Sequence, residues 1–202
     1  MEITDERELL SEDVPLEEII KNHPFGNYED QIRQIKVVAS SNGPRIDITD
    51  QGVVYLYLSN SVKKRSNYHY ILFHEFGHIC DRLDSLFGYN LKLRNELNRE
   101  GNSDRKIFIT DLWNVYIDGR LSKTDLFEFP KPPDKRIDPH CKKLINIDTI
   151  DSYIEEISCR FGSMGFDLNE SKRLLNEVWN SGFGSLIYSF FDEQYFKLAR
   201  QK

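Results

Sequence analysis

The chain has 202 residues, a formal net charge of −6, and 30% charged against 39% apolar residues. That length and balance suit one domain with a full core, and they argue against a disordered chain. The acidic charge argues against non-specific nucleic-acid binding, because a phosphate backbone would meet a net negative surface, and Lys63-Lys64-Arg65 is too short a basic run to reverse this.

No stretch approaches the roughly eighteen apolar residues of a membrane span. The first residues, Met1 to Asp13, are acidic and lack a basic segment followed by an apolar run, so no secretory leader is expected. Cys80, Cys141 and Cys159 are an odd number, far apart and without a paired spacing. No disulfide framework is expected, and a cytoplasmic location follows from these signs together.

In chain order, Asp13-Val14-Pro15 before Leu16 to Ile20 reads as a helix start, with Asp13 as the cap, and His23-Pro24-Phe25-Gly26 as its end. Three short runs rich in Ile, Val and Tyr follow: Ile32 to Ser40, Pro44 to Asp50, and Gly52 to Ser59. Gly43-Pro44 and Asp50-Gln51-Gly52 separate them, so neighbours are expected to pair as antiparallel strands.

A helix is then expected from Ser66 or Asn67 to about Leu86, with Gly88 as its stop. It contains His74-Glu75-Phe76-Gly77-His78. Residues four apart share one helix face, so His74 and His78 can turn their imidazoles towards one metal ion. Glu75 stands beside the first histidine without taking a coordination position, which is where a general base for a metal-bound water belongs. The flanking Tyr70, Ile71, Leu72, Phe73, Ile79 and Cys80 belong to a buried helix, which is not where two chance surface histidines would sit.

After a polar interval from Tyr89 to Lys106, Thr110 to Leu121 reads as a helix on which Asp111, Asn114 and Asp118 share a face. Trp113, Tyr116, Ile117 and Leu121 give that helix an apolar surface to bury. Two histidines alone hold zinc weakly, since catalytic zinc takes three protein ligands and leaves a fourth position for water. Asp118, Glu96, Glu100, Asp111, His140, Glu155 and Glu156 are the residues from which a third ligand can come. Beyond Phe129 the Pro-rich run to Lys143 breaks all periodicity and reads as an extended linker that also serves to roof a cleft. Asp148 then caps a helix with Ile150, Ile154, Ile157 and Phe161 in register, and Asn169 caps another with Leu174, Leu175, Val178 and Trp179. The aromatic end, Ile187 to Phe196, is suited to docking onto its own domain or onto a second subunit, so a homo-oligomer is one expectation.

The motif resembles that of the zincin metallopeptidases, whose active-site helix carries His-Glu-x-x-His. The resemblance implies that His74 and His78 bind zinc and that Glu75 activates the attacking water. In several small zincin-like groups a downstream helix carries Trp-Asn-x-x-x-Asp, and Trp113 to Asp118 is similar to it. This implies Asp118 as the third ligand, with Asn114 contacting it or the substrate. In zincins the strand before the metal helix edges the cleft, which here implies Val53 to Leu58 as a docking strand for an extended peptide. Tyr153, Tyr116, His140 and Arg120 remain as donors to an oxyanion.

The fold expected is α+β and zincin-like: a small antiparallel or mixed sheet on the metal helix, with further helices after it. A single domain would span 1–202, with the sheet and both metal-bearing helices in 1–128, the linker in 129–147 and a helical part in 148–202. The function expected is zinc-dependent hydrolysis of peptide bonds in a peptide or unfolded protein, without nucleic-acid or membrane partners. The alternative is a zincin-fold regulatory or binding protein whose metal site is structural.

Overall fold

The computed structural model describes residues 1–10, 15–129, 147–182 and 184–200. These residues form an α+β arrangement of seven α-helices and a four-stranded mixed sheet. They divide into two compact units, Met1–Ser85 with Thr124–Leu126, and Leu86–Lys123 with Phe127–Lys202. Among the described residues no helix is long and apolar enough to cross a membrane.

The first unit holds β1 (Glu2–Thr4), α1 (Leu16–Lys21), β2 (Gln34–Ala39), β3 (Arg45–Ile48), β4 (Val53–Leu58) and α2 (Tyr68–Leu83). Strands β2, β3 and β4 fall where the Ile, Val and Tyr runs place them. Strand β1 is only three residues long and carries no pattern of its own.

The pairing departs from a simple meander. The sheet order is β1-β2-β4-β3, with β2 parallel to both β1 and β4, and only β3 antiparallel to β4. The Asp50-Gln51-Gly52 turn therefore makes the expected hairpin, whereas Gly43-Pro44 lets the chain pass from one side of β4 to the other. Gly52 is needed there. It has φ +72°, and a Cβ would come within 2.5 Å of the Gln31 carbonyl oxygen.

Burial explains the central place of β4. Val54, Leu56 and Leu58 are fully buried, flanked by Ile35 and Val37 of β2 on one side and Ile46 of β3 on the other. The expectation that Val53 to Leu58 forms a free cleft edge is thereby corrected. Both sides of β4 are hydrogen-bonded, and the edges of the sheet are β1 and β3.

Helix α2 packs against β3 and α1 and buries Tyr70, Phe73, Gly77 and Cys80 together with Ile71, Leu72, Phe76 and Ile79. Arg82, in its last turn, pairs with Asp47 of β3. In α1, Leu16, Ile19 and Ile20 are buried and Pro15 occupies the cap position, while Asp13 lies outside the described residues.

The second unit contains α3 (Leu91–Leu97), α4 (Ser103–Leu121), α5 (Ile150–Ser163), α6 (Leu168–Asn180) and α7 (Tyr188–Ala199). The caps are displaced by one or two residues from those expected, one forward and one back. Thr149, not Asp148, closes a capping box with Ser152, and Asp167, not Asn169, accepts the amides of Asn169 and Glu170. Helix α4 crosses α6 where Gly119 faces the main chain of Trp179, and Phe108 of α4 stacks on Phe161 of α5 at 4.3 Å. Tyr188, Phe191 and Leu198 of α7 are buried within this unit, so much of the aromatic end docks onto its own chain. The linker from Pro130, with His140 and Cys141, lies outside the described residues.

The cysteine expectation changes as well. Cys80 is a buried free thiol, but Cys159 is disulfide-bonded.

Candidate metal centre

The first unit carries His74, Glu75 and His78 on consecutive turns of α2, where all three are half-buried. They lie on a different side of the helix from the buried Phe73, Phe76, Gly77 and Ile79. The imidazole centroids of His74 and His78 are 5.2 Å apart with the ring planes at 75°.

Two imidazoles on one tetrahedral zinc, with Zn–N bonds of about 2.1 Å, have centroids roughly 5 Å apart. The observed centroid separation of 5.2 Å is close to that distance. Tyr70, one turn earlier, places its ring against His74 at 5.9 Å.

His23 belongs to this region too, and no sequence signal singles it out. It is 5% exposed, and its Nε2 donates to the Phe73 carbonyl at 2.8 Å while its Nδ1 accepts the Phe25 amide at 3.2 Å. Both ring nitrogens are engaged, so His23 is not a metal ligand in this arrangement. Only its place in a His-Pro-Phe-Gly turn could have drawn attention to it.

The second unit carries Asp118 on α4, 1% exposed. Its Oδ2 accepts the hydroxyl of Tyr153 at 2.6 Å. A buried carboxylate needs such a donor, and carboxylates that hold metals are commonly oriented in the same way. Tyr153, one of the residues considered for the oxyanion, has its hydroxyl directed at Asp118 instead.

Several of the other residues considered on sequence grounds have partners of their own. Asp111 is buried and accepts Arg160 at 2.8 and 2.9 Å. Burial pushes its carboxyl up from the ordinary value of 3.8 to about 6, with Arg160 opposing the rise. Glu155 pairs with Lys172 and Glu156 with Arg160. Glu96 pairs with Arg105, which also binds Asp192, and Glu100 is exposed. Asn114 is half-buried.

Tyr116 and Arg120 are buried against each other, with the guanidinium 3.9 Å from the ring centroid. The Tyr116 hydroxyl donates to the Gly182 carbonyl at 3.4 Å.

Among the described residues no group of three or more His, Cys, Asp or Glu side chains could hold a metal ion. What α2 brings together is two histidines one turn apart, with a glutamate next to the first. No family model matches the chain, and neither curated proteins nor solved structures yielded a match.

Proposed function

We propose that this chain is a zincin-type, zinc-dependent hydrolase of peptide bonds. The observation that carries the reading is the His74–His78 pair on α2, at a spacing suited to one ion, with Glu75 between them. His74 and His78 hold the metal, and Asp118 is the third ligand nominated by its Trp-Asn-x-x-x-Asp helix. Its burial and its hydrogen bond from Tyr153 support that choice.

Bound there, zinc would supply a water of lowered pKa and polarise the scissile carbonyl. Glu75 accepts a proton on its carboxylate and returns it to the departing amine. His74 and His78 must both be neutral to coordinate.

The peptide or unfolded substrate enters by main-chain pairing. Strand β3 takes over the docking role that β4 cannot fill, because β3 is an edge strand and packs against α2.

Metal content and turnover test the reading together. The purified wild-type chain should hold roughly one zinc and cleave an unfolded, casein-like substrate. Glu75→Gln should keep the zinc and lose two to four orders of magnitude in turnover, a range typical of removing a positioned general base. Turnover at the wild-type rate in Glu75→Gln would end the peptidase reading.

A further inference from the structure

The two hydrogen bonds of His23 determine its state. The Phe25 amide can only donate, so Nδ1 is the bare acceptor nitrogen of a neutral ring. The proton therefore resides on Nε2, which donates to the carbonyl of Phe73. That carbonyl opens the helical turn running from His74 to His78, and within α2 it also faces the amide four residues on.

The surrounding loop is anchored in its own right. The His23 ring stands edge-on to Phe25 at 4.7 Å and tilts over Phe73 at 5.5 Å. The Gly26 amide returns to the His23 carbonyl at 3.1 Å, and the Cys80 thiol lies 3.9 Å from the Gly26 carbonyl. Gly26 has φ +128°, a conformation that side chains other than glycine rarely adopt. The turn from His23 to Gly26 is thus held against α2 at Phe73 and again two turns later at Cys80. Residues 73 and 80 flank the histidine pair along the chain.

We infer that His23 is a positioning residue for the His74–His78 pair. Its Nε2–H fixes the tilt of the Phe73 peptide and, through it, the direction in which the next residue, His74, leaves the helix. A second donor on a helix carbonyl alters local helix geometry, and ring placement at a metal tolerates little error. This inference rests on the metal reading above, but it concerns a residue that coordinates nothing.

The test uses the full-length chain stripped of metal and titrated with Co²⁺ and Zn²⁺. His23→Phe keeps an aromatic ring and removes both hydrogen bonds, whereas His23→Gln returns an N–H near the place of Nε2. His23→Phe should change the shape of the Co²⁺ ligand-field spectrum and weaken zinc binding about tenfold, the low end for residues that orient ligands. His23→Gln should restore the spectrum and most of the affinity. An unchanged spectrum and affinity in His23→Phe, or an equal loss in His23→Gln, would overturn the inference while leaving the metal reading intact. A wild-type chain that binds neither ion would sink both. If His23→Phe does not fold, His23→Asn, whose donor is too short to reach Phe73, takes its place with the same two outcomes.

Discussion

Tyr153 donates its hydroxyl to Asp118 at 2.6 Å inside the second unit, with both side chains buried. A hydrogen bond to an ionised group contributes about 2 kcal/mol, and an oxygen stripped of its donor keeps its desolvation cost. Tyr153→Phe preserves the ring and its packing on Trp179. It should therefore lower the urea stability of the metal-free protein by about 2 kcal/mol. If Asp118 is a ligand, zinc affinity should also fall, by roughly tenfold. An unchanged urea midpoint would show that the bond has no energetic weight.

Asp118→Ala and Glu75→Gln should part company. The first removes a metal bond and should lower zinc affinity. It should also lower the melting temperature measured with zinc present, by an amount that shrinks after chelation. The second leaves every ligand in place, so it should melt like wild type with zinc while failing in turnover. Unaltered zinc stoichiometry and affinity in Asp118→Ala would remove this residue from the site.

Asp111 makes stability depend on pH. Its folded pKa, near 6, lies above the ordinary 3.8, because burial penalises the charged form more than Arg160 favours it. The sign follows from the raised value: the group's contribution is fully present below about pH 3.8 and is lost as pH rises through about 6. Asp111→Asn cannot titrate, and Arg160 keeps Glu156. The stability of wild type relative to Asp111→Asn should therefore decline between pH 4 and pH 7, by at most about 3 kcal/mol. Chemical denaturation across that range measures it, and two parallel curves would show that the carboxyl is not perturbed.

Gly119 gives a packing test. A Cβ there would lie 2.2 Å from the Trp179 carbonyl oxygen, and that neighbour is main chain. Alanine favours a helix interior by about 1 kcal/mol over glycine, but forcing α4 from α6 costs typically 1–3 kcal/mol. Gly119→Ala should thus be destabilised on balance, with a lower denaturation midpoint. A midpoint equal to or above wild type would mean that the crossing yields easily.

The placement of His74, Glu75 and His78 on α2 was legible because it is local. Residues four apart on a helix meet whatever the rest of the chain does, so His74, Glu75 and His78 could be placed from their spacing. The extents of β2, β3, β4 and α2 followed for the same reason, since alternation and helical periodicity are properties of a few adjacent residues. Caps were less legible: Asp148 and Thr149, or Asp167 and Asn169, are equally competent by type, and the turn's path chooses between them.

Sequence by itself determined the periodic elements, the soluble-type balance of charge and apolar residues, and a pair of imidazoles one helical turn apart. Tertiary structure alone decided which strands became neighbours, because β4 gains most by burying Val54, Leu56 and Leu58 between two partners, and no local pattern encodes that choice. It also decided which polar side chains found each other. Asp118 received Tyr153, Asp111 received Arg160, and the Phe73 carbonyl received His23, at separations of 35, 49 and 50 residues. Such pairings arise from the demand that each buried polar group be satisfied, a demand that can be answered only once the chain has folded.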